Sequence, residues 1–187
     1  MKNRIIIGIA GHPSGGKDTV AHYLVKKYKF VHISTSDILR NYIKEHQLGD
    51  LSRENMNMVV TGLREQFGTD FLVRDILETN NDERLVLSGL RSSGEAKAIT
   101  AVGGILVAVD ASLKVRYKRA LQRGRIGENI SFDEFVKEQE KEDNPTNPNA
   151  PSVAAVTSVA QEHIDNSSTR AHTYTQVDSL MKRLNIS

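Results

Sequence analysis

Residues 4–19 read RIIIGIAGHPSGGKDT, and this stretch sets the fold. Arg4 to Ala10 is apolar without alternation, as in a strand covered on both faces. Gly11-His12-Pro13-Ser14-Gly15-Gly16-Lys17 follows with the spacing GxxxxGK. Lys17 to Tyr28 then carries a helical stripe of Val20, Ala21, Leu24, Val25 and Tyr28. Strand, glycine-rich turn and helix in that order are the setting a phosphate-binding loop requires. Glycines let successive backbone N–H groups face one centre, and the helix N-terminus favours anions. Gly11, Ser14, Gly15, Gly16, Lys17, Asp18 and Thr19 are therefore the candidate ATP-binding residues, with Lys17 reaching the β- and γ-phosphates. Such loops usually place Ser or Thr directly after the Lys to hold Mg²⁺. Here Asp18 stands there and Thr19 follows, so these two are the candidate metal ligands.

Outward from the loop, short apolar runs alternate with helical patterns. Phe30 to Ile33, Arg84 to Leu90, Ile105 to Val109 and His163 to Asn166 read as further strands. Helices are expected over Asp37–His46, Glu54–Phe67, Asp70–Thr79, Ser112–Gln122 and Ser152–Gln161. Ser92-x-x-Glu95 and Ser131-x-x-Glu134 have capping-box spacing and should open two more. Thr173-x-x-Gln176 should open a last helix, with Val177, Leu180, Met181 and Leu184 inward. Asn144 to Pro151 holds three of the four prolines and must be a loop. The pattern predicts an α/β, three-layer P-loop NTPase domain with a five-stranded parallel sheet and a short helical lid. Ligands in such folds bind beyond the carboxyl ends of the strands.

Composition agrees with one folded unit. The chain has 187 residues, 39% hydrophobic and 26% charged, with a net charge of +2. That charge is too small for a protein that coats nucleic acid. With no Cys, disulfide frameworks, thiolate metal sites and cysteine nucleophiles are excluded. The six histidines lack metal-ligand spacing, and no serine-hydrolase elbow is present. No apolar run approaches the roughly 20 residues that span a bilayer. A cytoplasmic location is expected, with no membrane or nucleic-acid partner. The near-neutrality hides a division. Residues 111–127 carry Lys114, Arg116, Lys118, Arg119, Arg123 and Arg125 and no acid, so +6, whereas seven acids and two lysines give 128–143 a net −5. The acidic stretch is expected to be solvated and to offset the basic one. Only Tyr117 is aromatic in the basic stretch, which gives base stacking little support.

Five segments together resemble the nucleoside-monophosphate-kinase group of P-loop kinases. They are GHPSGGKDT at 11–19, HISTSDILR at 32–40, SGLRS at 88–92, the basic run Lys114 to Arg125, and HIDNSS at 163–168. The second is similar to the acceptor segment of adenylate kinases, and the last to the end of dephospho-coenzyme-A kinases. The resemblance covers nearly the whole chain. It implies a single kinase domain over 1–187, with an acceptor-binding region at about 34–79 and a lid at about 124–151. It further implies an ATP- and Mg²⁺-dependent phosphotransferase acting on a nucleotide-like acceptor, an NMP, a dNMP or dephospho-coenzyme A. Asp37, Arg40 and Arg91 match acceptor-side positions. Asp37 and Arg40 lie three apart on one helix face, and a guanidinium offers a planar fork to a phosphate. Arg119, Arg123 and Arg125 match lid cations that join Lys17 in neutralising the transferred group. Asn166 matches a residue near the donor base. Ser88 departs from the pattern, which has Asp there, so Asp18 or Asp110 must compensate or metal binding is weak. A nucleotide-binding regulator or an ATPase without acceptor transfer is the alternative reading.

Overall fold

A computed structural model describes residues 4–124 and 130–187. β1 (Ile5–Ala10), β2 (Val31–Ser34), β3 (Arg84–Ser88), β4 (Ile105–Asp110) and β5 (Glu162–Asp165) form a wholly parallel sheet. Their order is β2-β3-β1-β4-β5, so the N-terminal strand is central. The five-stranded parallel sheet expected from the sequence is therefore present. Along β1 the apolar residues divide between two cores. Ile7 and Ile9 pack with α1 (Lys17–Tyr28) and α9 (Arg170–Arg183), while Ile6 and Ala10 face α4 (Phe71–Thr79), α5 (Ser93–Ala101) and α8 (Ala154–Thr157). This is why the strand shows no alternation. A smaller cluster joins α2 (Thr35–Glu45) and α3 (Arg53–Phe67) to α4 through Leu39, Ile43, Val60 and Leu72. α6 (Leu113–Arg123) follows β4, and α7 (Phe132–Asp143) packs on it through Tyr117 against Phe132 and Phe135. Among the described residues, no helix is long and apolar enough to cross a membrane.

Several boundaries differ from the sequence reading for local reasons. β3 stops at Ser88 because Gly89 turns the chain at φ 85°. α2 begins two residues earlier than expected, at Thr35, because Ser34 caps it by accepting from the Asp37 N–H at 3.3 Å. The expected helix over 152–161 shrinks to the four residues of α8. Its ends are held elsewhere. The Ser152 N–H donates to the Arg91 carbonyl, and the Gln161 side chain and N–H pair with Leu106 of β4. α9 begins a turn earlier than expected, with Thr169 as cap, and Thr173 is buried inside it. At α5 half of the capping box forms. The Ser92 hydroxyl accepts from Glu95 N–H, but the Glu95 carboxylate reaches past the cap to the Arg91 N–H at 2.6 Å and to Arg64 at 3.2 Å. The Ser131 box on α7 is complete.

Candidate active site

The carboxyl ends of β1, β3 and β4 meet at the glycine-rich loop. Gly11 sits at φ 151°, and a Cβ there would lie 1.9 Å from the Val109 carbonyl oxygen of β4. Gly16 sits at φ 100°, and its Cβ would lie 1.7 Å from the Asn166 amide nitrogen. At these two positions the loop tolerates only glycine. Gly16 also provides no side-chain cap for α1, so the loop runs into a helix start whose first N–H groups lack intrahelical partners. The Lys17 ammonium folds back over the loop and donates to the Gly11 and His12 carbonyls at 2.8 and 3.0 Å. Burial, and then the charge of nearby Arg91, push the Lys17 pKa down to about 8. Asp18 is exposed and Thr19 half-buried in the first turn of α1.

α6 brings two of the expected cations to the same loop. Arg119 donates to the Ser14 carbonyl at 3.4 Å and the Asn166 carbonyl at 2.8 Å, and Arg123 donates to the Ser14 hydroxyl at 2.5 Å. Arg116, on the same helix face, is instead buried. It donates to the Ala111 carbonyl and pairs with Asp110 at 3.2 Å. Arg125 lies outside the described residues. Asn166 is buried, and its amide holds the loop by donating to the Gly15 carbonyl at 2.9 Å while accepting from Thr173 at 2.7 Å.

His12, one of the unspecified positions of the GxxxxGK spacing, is a hub. Its Nδ1 lies 2.7 Å from Asp110, and its Nε2 lies 3.0 Å from Asp143 at the end of α7. Burial alone would lower its pKa. The hydrogen bonds to both aspartates and the Asp110 charge outweigh that, so the imidazole titrates above its ordinary value. Burial likewise favours the neutral Asp110 acid. Hydrogen bonds from His12 and the Ala111 N–H, with the charge of Arg116, nevertheless hold its pKa below the usual range. Asp110 is thus engaged in ordering the loop. At Ser88, where the kinase pattern has Asp, the hydroxyl pairs with His32 Nε2 at 2.8 Å. Burial lowers the His32 pKa, which makes this a neutral pair near pH 7.

On α2, Arg40 pairs with Asp37 at 2.5 Å on the helix's outer face. Arg91 leaves β3 toward the loop, where its charge acts on Lys17. Its guanidinium lies 3.6 Å from Glu142 of α7, which also receives a hydrogen bond from Arg53 at 2.6 Å. Arg53, Glu142, His12, Asp143 and His32 are residues that sequence reading did not assign to the site. Arg53 has no motif around it, and Glu142 lies in what reads as a solvated acidic run.

The loop suits a nucleoside triphosphate with Mg²⁺. It offers an ammonium, two guanidiniums, a helix start, and a carboxylate and hydroxyl next to Lys17. Among the described residues no group of three His, Asp or Glu could hold a metal unaided. Mg²⁺ in phosphate sites needs only one or two protein ligands, because phosphates and water supply the rest.

A family model described as an AAA domain matches residues 7–144. The UPF0200 protein of Methanococcus maripaludis is 30% identical over 145 residues, covering 74% of this chain and 78% of its own. That of Methanocaldococcus jannaschii is 30% identical over 144 residues, covering 74% and 72%. Among solved structures, TT1252 from Thermus thermophilus matches with a TM-score of 0.64 at 19% identity, over 98% of this chain and 99% of that one. Shikimate kinase from Bacteroides thetaiotaomicron matches at 0.59 and 14%, over 97% and 98%. At these identities the two structures establish the fold alone, which this chain shares with that shikimate kinase.

Proposed function

This chain belongs to the AAA domain family and to the UPF0200 proteins, and we propose that it is an ATP-dependent phosphotransferase acting on a small nucleotide-like acceptor. One observation carries the reading. Cations from three parts of the chain, Lys17 on α1, Arg119 and Arg123 on α6, and Arg91 after β3, surround one phosphate-binding loop. Phosphoryl transfer spreads charge over the moving group, and fixed cations in a dry site stabilise it.

In this reading Lys17 exchanges its two loop carbonyls for β- and γ-phosphate oxygens. Arg119 and Arg123 lie on the Ser14 side of the loop and follow the γ-phosphate. Arg91 holds the acceptor's anion beside Lys17, and Arg40 and Asp37 lie further out on the acceptor wall. Thr19 and Asp18 are the residues that would hold Mg²⁺, which would supply positive charge to offset that of the phosphates. Asn166 acts from beneath, keeping the loop in shape. The whole chain is one kinase unit, with 34–79 on the acceptor side and α7 within the lid. Closure of that lid excludes water and favours transfer over hydrolysis.

The test is ADP release with Mg²⁺ and ATP against NMPs, dNMPs and dephospho-coenzyme A. At least one acceptor should stimulate release, and Lys17→Ala should reduce it at least about 100-fold, the scale of losing one transition-state donor. If ATP binds in a Lys17-dependent way while no acceptor stimulates release, the transferase reading is wrong. The neutral Ser88–His32 pair favours the alternative of a nucleotide-binding regulator or ATPase, and that outcome would establish it.

A further inference from the structure

The last turn of α7 inserts two neighbouring carboxylates into the site. Asp143 meets His12 of the phosphate loop, and Glu142 lies between Arg53 at the start of α3 and Arg91 after β3. The Glu142 fit is incomplete. Arg53 donates to Oε2 at 2.6 Å, but Oε1 is buried without any hydrogen bond, and Arg91 stands 3.6 Å away. Burial lowers the Arg91 pKa, and the charges of Glu142 and Glu95 offset this only in part. As placed by α7, the carboxylate bonds one guanidinium and leaves the other 3.6 Å from its free oxygen. A tetrahedral anion with three terminal oxygens can offer acceptors to each.

α7 itself is held lightly. None of its side chains is fully buried, and a second buried oxygen, Gln139 Oε1 one turn earlier, also lacks a partner. An element that buries little apolar surface and leaves polar atoms unsatisfied belongs to the low-stability end of a fold.

We infer that Arg53 and Arg91 form the seat for a phosphate monoester on the acceptor, and that Glu142 is a tethered stand-in which this phosphate displaces. The inference rests on the phosphotransferase reading and adds to it a residue, Arg53, and a competitor, Glu142. It narrows the acceptor to molecules that carry a phosphate monoester, and so favours the NMPs and dNMPs over dephospho-coenzyme A. It also makes acceptor entry and release of the α7 tip a single exchange of anions on the same two arginines.

The test uses the full chain, ¹⁵N-labelled, with the Arg91 Nε–Hε resonance as the probe, assigned by its loss in Arg91→Lys. Inorganic phosphate, AMP and benzoate are titrated separately at matched ionic strength. Phosphate and AMP should shift the resonance saturably, AMP at least as tightly as phosphate, and both more tightly than benzoate. Glu142→Gln should tighten phosphate about tenfold, as expected when a competitor that occupies most molecules is removed. Arg53→Ala added to Glu142→Gln should cancel the gain, which separates this seat from phosphate held in the glycine-rich loop. The inference is overturned if the resonance does not move, if Glu142→Gln brings no gain, or if the gain survives Arg53→Ala. Tighter benzoate would exclude the phosphate assignment, and rejection of AMP would make this a free-phosphate site. ATP binding is measured separately on Lys17→Ala. A failure of the kinase reading therefore appears there and leaves the Arg91 titration interpretable.

Discussion

Lys17 carries the clearest electrostatic signature in the site. Its charged form is disfavoured by burial and by Arg91, so its pKa falls from the ordinary lysine value of 10.5 to about 8. A bound triphosphate favours the charged form and moves the pKa back up. Nucleotide binding should therefore take up protons near pH 8, about half a proton per site, and affinity should fall as pH rises through 8. Calorimetry in buffers of different ionisation enthalpy measures the uptake, and Lys17→Arg should abolish it. This residue was fully legible, because the loop spacing and the flanking strand and helix fix its place. Arg53 and Glu142 were not. Their significance comes from a contact between α3 and α7, 89 residues apart in sequence, and no local pattern encodes it. Asp37 and Arg40 show the converse. Their spacing was read correctly as one helix face, and in the structure they pair with each other on that face.

At the scale of elements, α5 illustrates how a local signal is diverted by packing. Ser92-x-x-Glu95 has the spacing of a reciprocal cap, yet Glu95 is buried and engages the buried Arg64 of α3. Its second oxygen takes the Arg91 N–H, so one carboxylate ties α3, α5 and the end of β3 together. Removing one member of such a pair leaves an uncompensated buried charge. Glu95→Ala should cost about 3–5 kcal/mol by urea denaturation, and adding Arg64→Met should recover much of it. The same diversion explains α8. Apolar residues at 153–156 pattern as part of a longer helix, but Ser152 and Gln161 at its two ends are claimed by Arg91 and by β4. β1 and most of the α1 stripe were read closely because their apolar residues lie on the faces they bury, whereas Val25 of α1 and Phe67 of α3 are exposed.

Across the molecule, nucleotide binding should report directly on stability, because the loop is built on the central strand and braced by β4, β5, α6 and α9. Saturation with Mg²⁺–ATP at about 100 times its dissociation constant should add ~2.7 kcal/mol. For a domain of this size that is a rise of about 5–10 °C in midpoint temperature. A thermal melt checks this, and Lys17→Ala should show no comparable rise. The charge division of the sequence also takes a definite form. α7 meets α6 through the Tyr117 rings, and its terminal acids turn to Arg53, Arg91 and His12 instead.

The central position of β1 matters most before the chain is complete. Ile5 lies opposite Arg84 in β3, and Ile7 opposite Ile105 in β4. At ribosomal rates of about 5–20 residues per second, the IIIGIA segment emerges several seconds before either partner strand exists. Throughout that interval the nascent chain displays a short, uncharged, β-prone segment of the kind that pairs with other chains. Lys2 and Arg4 precede it and Lys17 follows, so charge flanks it closely during synthesis.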